Sequence, residues 1–510
     1  MSVNVMSPIL PVLSVPPLPA AAPLPPVSSV PPVSSVPPTP PIPQRQRSPR
    51  GPLDVVWALL RNHRTAPIVV GVVVFITYLL YSAQQWRSFT VRSWDLAIFS
   101  QLAQGYASWI GPIVSVKGSG FNLLGDHFHP ALVALGPVWA LFPSPFALLV
   151  VQNLLFAVSA CVITRLAQRR FGTPTGLGIG LAYGFSWGLQ YAVDAQFHEI
   201  AFAVPLLALS GEAICLRRFR AAALWAAPLV FVKEDLGLTV LVVAAVIFFL
   251  GGRRIGLLLA GWGVLLFIVA VAVVIPLLSP TGTWVYLSSL GGGSSSVWGD
   301  LLNSAKLETV LWLLLICAAI ALCSPLAWIL VPSLAWRFLS SNSGYWGHGW
   351  HYSAVLMPVL FCAAIDGMHR ARTSAHRWFQ GYGKVAAASV VAVALVFVPQ
   401  TPIGSMLRPD YWHPSSRAAS ASAALATVRQ GSTIESDIGL MSYLVTKGTV
   451  YWIGNKNPIP DFVVVDRVGG GGGTHTALQW AQTLHPDIPY TTVFDRDGYQ
   501  VAARSGGVTG

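Results

Sequence analysis

Apolar stretches recur along residues 67–398, separated by short turns in which arginines cluster. That alternation constrains the fold more than any other feature. A bilayer core of roughly 30 Å accepts only segments that satisfy their own backbone groups, and a run of ~20 apolar residues does so as a helix. With only 10% charged residues in 510 and a mean hydropathy of +0.61, a soluble domain of this length is excluded. The net charge of +12 would suit a polyanion, yet the basic residues lie in clusters between apolar segments. Such a distribution reads as membrane topology, and nucleic acid is excluded as a partner. The five cysteines form no zinc or disulfide spacing and read as packing residues.

The arginines orient the chain. Arg45, Arg47, Arg50, Arg61 and Arg64 precede the first apolar segment, 67–83, and place the N-terminus in the cytoplasm. Arg165, Arg169 and Arg170 belong on the same side, so 146–163 is the single crossing that returns to them. Segment 131–142 is then a short juxtamembrane or re-entrant helix ended by Pro143-Ser144-Pro145. Segments 177–191, 200–216, 221–232, 236–250, 255–278, 310–321, 326–338, 354–365 and 385–398 complete the alternation, with the other basic turns inside. The expectation is a mainly α, multi-pass protein of a bacterial plasma membrane, with about eleven transmembrane helices over residues 51–400.

Two terminal regions differ in composition. Residues 1–50 repeat Pro-Pro-Val-Ser-Ser-Val and read as a disordered or polyproline-like cytoplasmic tail. Residues 401–510 alternate helix-like and strand-like runs: helix 417–428, strands 450–453 and 462–465, helix 476–484, and a hairpin over 490–503 around Asp497-Gly498. They are expected to form a small extracytoplasmic α/β domain. The glycine run 469–473 lies between a strand and a helix but lacks the spacing of a phosphate-binding fingerprint; connector and phosphate cradle both remain open.

The chemistry collects on the face away from the basic turns. The first long loop, 84–145, carries Arg92, Trp94, Asp95, Asp126, His127 and His129. Later turns add Asp194, His198 and Glu199, then Lys233, Glu234 and Asp235, then His348, His351 and Tyr352. Ionisable groups at membrane depth are costly, so their convergence on one side points to function. Asp95 can serve as a general base or as the N-cap of a following helix. Asp194 and His198 share a face if the helix continues through both. His127, His129, His198 and Glu199 are candidate ligands of a divalent metal or of a lipid phosphate, although no HExxH-like spacing occurs. Lys233 can hold a phosphate as a point charge or pair internally with Glu234 or Asp235. The aromatic stretch 345–352 suits an interfacial belt or sugar stacking.

Five blocks carry a family resemblance: Trp94-Asp95-Leu96-Ala97-Ile98-Phe99-Ser100-Gln101, Gly125-Asp126-His127-Phe128-His129-Pro130, Phe197-His198-Glu199, Lys233-Glu234-Asp235-Leu236-Gly237 and His351-Tyr352. Their order and spacing resemble the bacterial membrane proteins grouped as domain of unknown function 2079, over residues 65–505. That family resembles in turn the GT-C class of polyprenyl-phosphate-dependent glycosyltransferases. The resemblance implies a catalytic acid in the first extracytoplasmic loop, matched by Asp95, and juxtamembrane helices lying on the bilayer. It also implies a lipid-linked sugar donor, with Lys233 matching a basic residue at the end of a middle span. The expected reaction is an inverting transfer from a polyprenyl-phosphate sugar to an envelope glycan, lipid or protein, the leaving lipid phosphate being held by Lys233 and by Arg92 or Arg337. Two rival classes are a transporter or lipid flippase, which calls for charges at mid-membrane and inverted repeats, and a non-catalytic envelope assembly protein that binds through residues 401–510.

Overall fold

The structure, a computed structural model, describes residues 65–91, 94–287, 303–471 and 473–506. The proline-rich tail at 1–50 and Arg92 lie outside the described residues. The helical part opens with α1 (Thr65–Arg87), α2 (Trp94–Ala107), α3 (Pro130–Leu141) and α4 (Pro145–Phe171). It continues through α5 (Thr173–Gly184), α6 (Trp187–Asp194), α7 (Ala203–Cys215), α8 (Phe219–Phe231), α9 (Leu236–Phe249) and α10 (Arg253–Leu278). Then come α11 (Ser304–Ile316), α12 (Pro325–Leu339), α13 (Leu356–Arg372) and α14 (Arg377–Phe397).

Local sequence accounts for several boundaries. Segment 131–142 is indeed a separate short helix, α3, because Ser144 accepts a hydrogen bond from the Phe146 N–H and Pro145 occupies the first turn of α4. Gly172, at φ +85°, ends α4 in a conformation that side chains disfavour. A five-residue π turn, Ala270–Val274, precedes Pro276 in α10, where proline supplies no N–H to the helical ladder.

The expected apolar segments are mostly helical, with 310–321 broken by a turn at Ala318 and Ala319, both at positive φ. Only five helices among the described residues are long and apolar enough to cross a membrane: Thr65–Arg87, Pro145–Phe171, Arg253–Leu278, His351–Arg372 and Arg377–Gln400. The other expected segments are shorter or interrupted. Segment 177–191, for example, divides at Ser186 into α5 and α6, so about eleven full-length spans are not what the helices themselves present. α13 is the central element, buried along most of its length, whereas α10 turns Leu257, Leu258, Leu265, Ile268 and Leu277 outward, as a lipid-facing helix does.

Beyond α14, helix α15 (Ala418–Thr427) leads into a five-stranded sheet of β1 (Ser432–Ser436), β2 (Gly448–Trp452), β3 (Phe462–Asp466), β4 (Tyr490–Arg496) and β5 (Tyr499–Arg504). A single turn, α16 (Met441–Leu444), precedes β2, and α17 (Ala477–Leu484) packs on the sheet with a Thr476/Gln479 capping box. The strand order is β2-β1-β3-β5-β4, parallel on the β1 side and antiparallel through β5. Asp497 and Gly498, both at positive φ, make the tight β4–β5 turn expected of Asp-Gly. In the described part of the glycine run Gly470 lies against Asp437, where a Cβ would meet Oδ2 at 1.9 Å, and that carboxylate would repel a phosphate.

One apolar core joins this sheet to the first loop. Leu96, Leu102, Val114, Val116 and Leu135 pack in the same cluster as Met441, Leu444, Val450 and Val464. The buried Gln101 side chain ties the two together, donating to the Val450 carbonyl and accepting from the Val116 N–H, each at 2.9 Å. Asn455 donates to the Val116 carbonyl at 3.0 Å, and the rings of Trp94 and Trp452 stack 4.6 Å apart. β2 is an edge strand, and α2 with the loop behind it covers that edge.

Candidate active site

A cavity of about 450 Å³ opens between the first loop and the ends of the helical segments. Trp94 and Asp95 enter it from the start of α2, and Asp126, His127 and His129 from the turn before α3. His198 and Glu199 come from the turn before α7, Lys233, Glu234 and Asp235 from the turn between α8 and α9, and His351 and Tyr352 from the turn before α13. Leu238 of α9 and Phe267 of α10 add an apolar wall. The turns before α7 and α13 bring residues more than a hundred positions from Asp95 into one chamber, which is what a helical membrane scaffold can do with its loop ends.

Four of the five lining carboxylates meet a basic partner. His198 Nε2 lies 3.2 Å from Asp95 Oδ2, Lys117 Nζ 3.1 Å from Asp126 Oδ2, Lys233 Nζ 2.8 Å from Glu199 Oε1, and His127 Nδ1 2.7 Å from Glu234 Oε1. Glu234 also accepts the Phe128 N–H through Oε2 at 2.9 Å. The fifth, Asp235, is half-buried, and its shielded Oδ1 has no hydrogen-bond partner among the described residues. Buried Trp94 Nε1, His129 Nδ1, Trp284 Nε1 and His351 Nδ1 are unpartnered in the same way, and all belong to lining residues. Orphaned polar atoms are rare in folded proteins, and five around one chamber mark it as a place for a polar guest.

The two carboxylate–imidazole pairs are built in opposite order. In the first, His198 is buried (5% exposed) and the Asp95 carboxylate is half exposed (49%). Both His198 nitrogens face acceptors, Asp95 on Nε2 and the Gln196 carbonyl on Nδ1 at 3.1 Å, so an ionised Asp95 calls for an imidazolium. Burial works against that charge, but the Asp95 carboxylate prevails and His198 is held above the usual histidine range. His351 stacks on it with ring centroids 3.4 Å apart. In the second pair Glu234 is buried (1%) and His127 faces the cavity (19%). Against the burial, the Glu234 carboxylate raises His127 as well.

Burial also opposes ionisation of Glu199, but Lys233 and then His198 hold its carboxyl far below the usual range. His129, with no such partner close by, is pushed down by burial to about 4 and is neutral at physiological pH. Burial raises Asp235.

The expected site residues thus largely converge, with three exceptions. Arg92 lies outside the described residues. Arg337 is fully buried behind the cavity wall, donating to the carbonyls of Tyr345 and Gly347 (both 2.8 Å) and to the Ser353 hydroxyl (3.2 Å), and so ties down the loop before α13. His348 stacks on Trp312 with centroids 4.2 Å apart and does not line the cavity. Asp194 and His198 do not share a helical face. α6 ends at Asp194, Gln196 takes φ +67°, and Asp194 turns to α1, accepting from Tyr81 and Gln85.

The metal candidates do not fit a metal. Among the described residues no three of His, Cys, Asp and Glu gather in a metal-holding group, and His127, His198 and Glu199 are each engaged by a different partner. Lys117, Trp284 and Tyr286 were not expected in the wall, whereas Tyr345 comes from the aromatic stretch 345–352. Lys117 is the one lysine of the first loop, a signal that was there to read. Tyr286, which stacks on His127 at 4.4 Å, lies beyond the end of α10 with nothing in its neighbourhood to mark it.

Fold and site together define a multi-pass membrane protein whose loop ends enclose an acid- and histidine-lined chamber beside an apolar wall. The chain belongs to the family described as predicted membrane protein (DUF2079), whose model matches residues 65–508. No curated protein matches the sequence. Among solved structures, the crystal structure of ArnT from Cupriavidus metallidurans bound to undecaprenyl phosphate is similar over 86% of this chain and 99% of that one, at 13% identity and a TM-score of 0.48.

Proposed function

We propose that the protein is a membrane glycosyltransferase that moves a sugar from a polyprenyl-phosphate donor to an extracytoplasmic envelope glycan, lipid or protein, with inversion and with Asp95 as general base. The observation that carries this reading is the Asp95–His198 pair: a half-exposed carboxylate, held from behind by a buried imidazole, at the mouth of a chamber that is polar on one side and apolar on the other. Such a chamber suits an amphiphile, with the sugar phosphate among the charged groups and the prenyl chain along Leu238 and Phe267. Asp95 takes the proton of the acceptor hydroxyl as its oxygen attacks the anomeric carbon, and the lipid phosphate leaves from the opposite face. Lys233, already the partner of Glu199, offers the phosphate a point charge. Nucleotide sugars are confined to the cytoplasm, so a donor carried by a lipid fits a site on the other side.

The test uses the full chain in lipid nanodiscs supplied with polyprenyl-phosphate sugars, with release of polyprenyl phosphate as the readout. Asp95→Asn, shown to be folded by its melting curve, is expected to lose turnover by two or more orders of magnitude, in line with the roughly 10²–10⁴ that a general base contributes. Wild-type turnover in that variant would remove Asp95 from the role.

A further inference from the structure

The second carboxylate–imidazole pair is not explained by acceptor activation, and its construction is the mirror of the first. Glu234 is almost wholly buried, and both its oxygens are committed, one to His127 Nδ1 and one to the Phe128 N–H. Its partner ring lines the cavity, clamped on one face by Tyr286. With Nδ1 bound to the carboxylate, Nε2 is the nitrogen left without a hydrogen-bond partner among the described residues. A base oriented by a fixed third group is the arrangement that positions an imidazole for proton transfer. Here the imidazole, not the carboxylate, is the group presented to the guest.

The charge of the chamber supplies the need. Asp95, Asp126, Glu199 and Glu234 already engage the four cationic groups that line it, so among the described residues no lining cation is left unpaired to take a polyprenyl phosphate released as a dianion at low dielectric. We propose that His127 is the proton donor to the departing phosphate, with Glu234 as the positioning residue that orients it. The proposal rests on the glycosyltransferase reading above. As the bond between the anomeric carbon and the phosphate oxygen breaks, its electron pair goes to that oxygen, and the Nε2 proton of His127 follows. The acceptor oxygen forms the new bond and gives its proton to Asp95. The products are the glycoside, a singly charged polyprenyl phosphate, protonated Asp95 and neutral His127. One proton passing from Asp95 to His127 through solvent resets the site. The groups that set the charge state of His127 are Glu234, Lys233 and Asp235 from the turn before α9, Asp126 and His129 from its own turn, Glu199, and the Tyr286 ring stacked on it.

The experiment measures kcat and KM for polyprenyl phosphate release against pH, with the full chain in nanodiscs and a polyprenyl-phosphate sugar as donor. Wild type is expected to lose kcat at alkaline pH as His127 deprotonates. His127→Gln is expected to lose on the order of 10² to 10⁴ in kcat, with a small change in KM and no alkaline limb. Glu234→Gln keeps the side-chain volume and is expected to move the alkaline limb to lower pH, because the carboxylate that raises His127 is gone; a purely structural role would leave the limb in place. Retention of wild-type kcat and of an unmoved alkaline limb in His127→Gln and Glu234→Gln, while Asp95→Asn is silent, overturns the role of His127 and leaves the glycosyltransferase reading standing. Equal release by wild type and Asp95→Asn overturns that reading, and this assignment with it.

Discussion

Replacing Lys233 with methionine separates its pairing with Glu199 from the phosphate contact proposed for it. Lys233 Nζ is 2.8 Å from Glu199 Oε1, and the side chains are 12% and 5% exposed. Methionine removes the charge and keeps much of the apolar stem, so Glu199 is left as a buried anion with only the more distant His198 and His127 to offset it. Stranding one partner of a buried pair typically costs about 3–5 kcal/mol, whereas replacing both partners by neutral groups is often close to neutral. The two histidines put the expected loss near 3 kcal/mol, the lower end of that range. Thermal melts in nanodiscs should therefore rank wild type well above Lys233→Met, with Lys233→Met/Glu199→Gln recovering most of the difference. Turnover should stay low in the double variant, because the phosphate has lost its cation although the fold has been restored. A single variant that melts with wild type would refute the buried-pair reasoning. A double variant no better than the single would show that the cost is not the stranded carboxylate.

Other expectations follow from the same structure. Gln101→Leu strands the Val450 carbonyl and the Val116 N–H at about 1–3 kcal/mol each, so hydrogen exchange should rise in β2 and in residues 115–117 while α13 stays protected; unchanged protection at β2 would contradict the bridge. His129 is neutral when folded down to about pH 4, against 6.5 for an ordinary histidine. As pH falls through that window only the unfolded chain takes up the proton, so stability declines, by about 3 kcal/mol at most on ~1.4 kcal/mol per pH unit. His129→Phe should flatten that part of the melting-temperature profile, and an equally steep decline in the variant would place its origin elsewhere. Deleting residues 405–510 uncovers the apolar faces of Leu96, Leu102 and Val116, so the truncated chain is expected to aggregate in detergent; a monodisperse product would count against the shared core.

The positions of the helices were legible because apolar length is a direct consequence of the solvent, and α3 could be recognised as a separate element from Pro143-Ser144-Pro145 and the arginines after it. The interruption at Ser186 was not read from the sequence, because 177–191 is apolar apart from Ser186 and Gln190 and its four glycines do not by themselves say where it breaks. Most of the sheet was evident from its Val-rich strands and the Asp-Gly turn. β1 was missed because Glu435 and Ser436 look like turn residues; they are buried, and Glu435 is satisfied by Asn457 and His485 from elsewhere in the sequence. At the site, the acids and histidines announced themselves by lying at membrane ends. Their pairing did not, because Asp95 with His198 and His127 with Glu234 join residues about a hundred positions apart. Arg337 shows the converse: a lone arginine near an aromatic loop reads as an anion holder, and only its three hydrogen bonds reveal that its donors are spent on the loop itself.

The seam between α2 and the edge strand β2 bears on how the protein is made. Asp95 stands near the beginning of the chain, while Val450 and Trp452, which fix its helix through Gln101 and Trp94, are translated near the end. A nascent chain can insert every helix through α14 and still lack the neighbours that orient Asp95. Synthesis that stops short of β2 leaves α2 without the Val450 carbonyl and the Trp452 ring that hold it, so the end of the chain completes the geometry of its beginning.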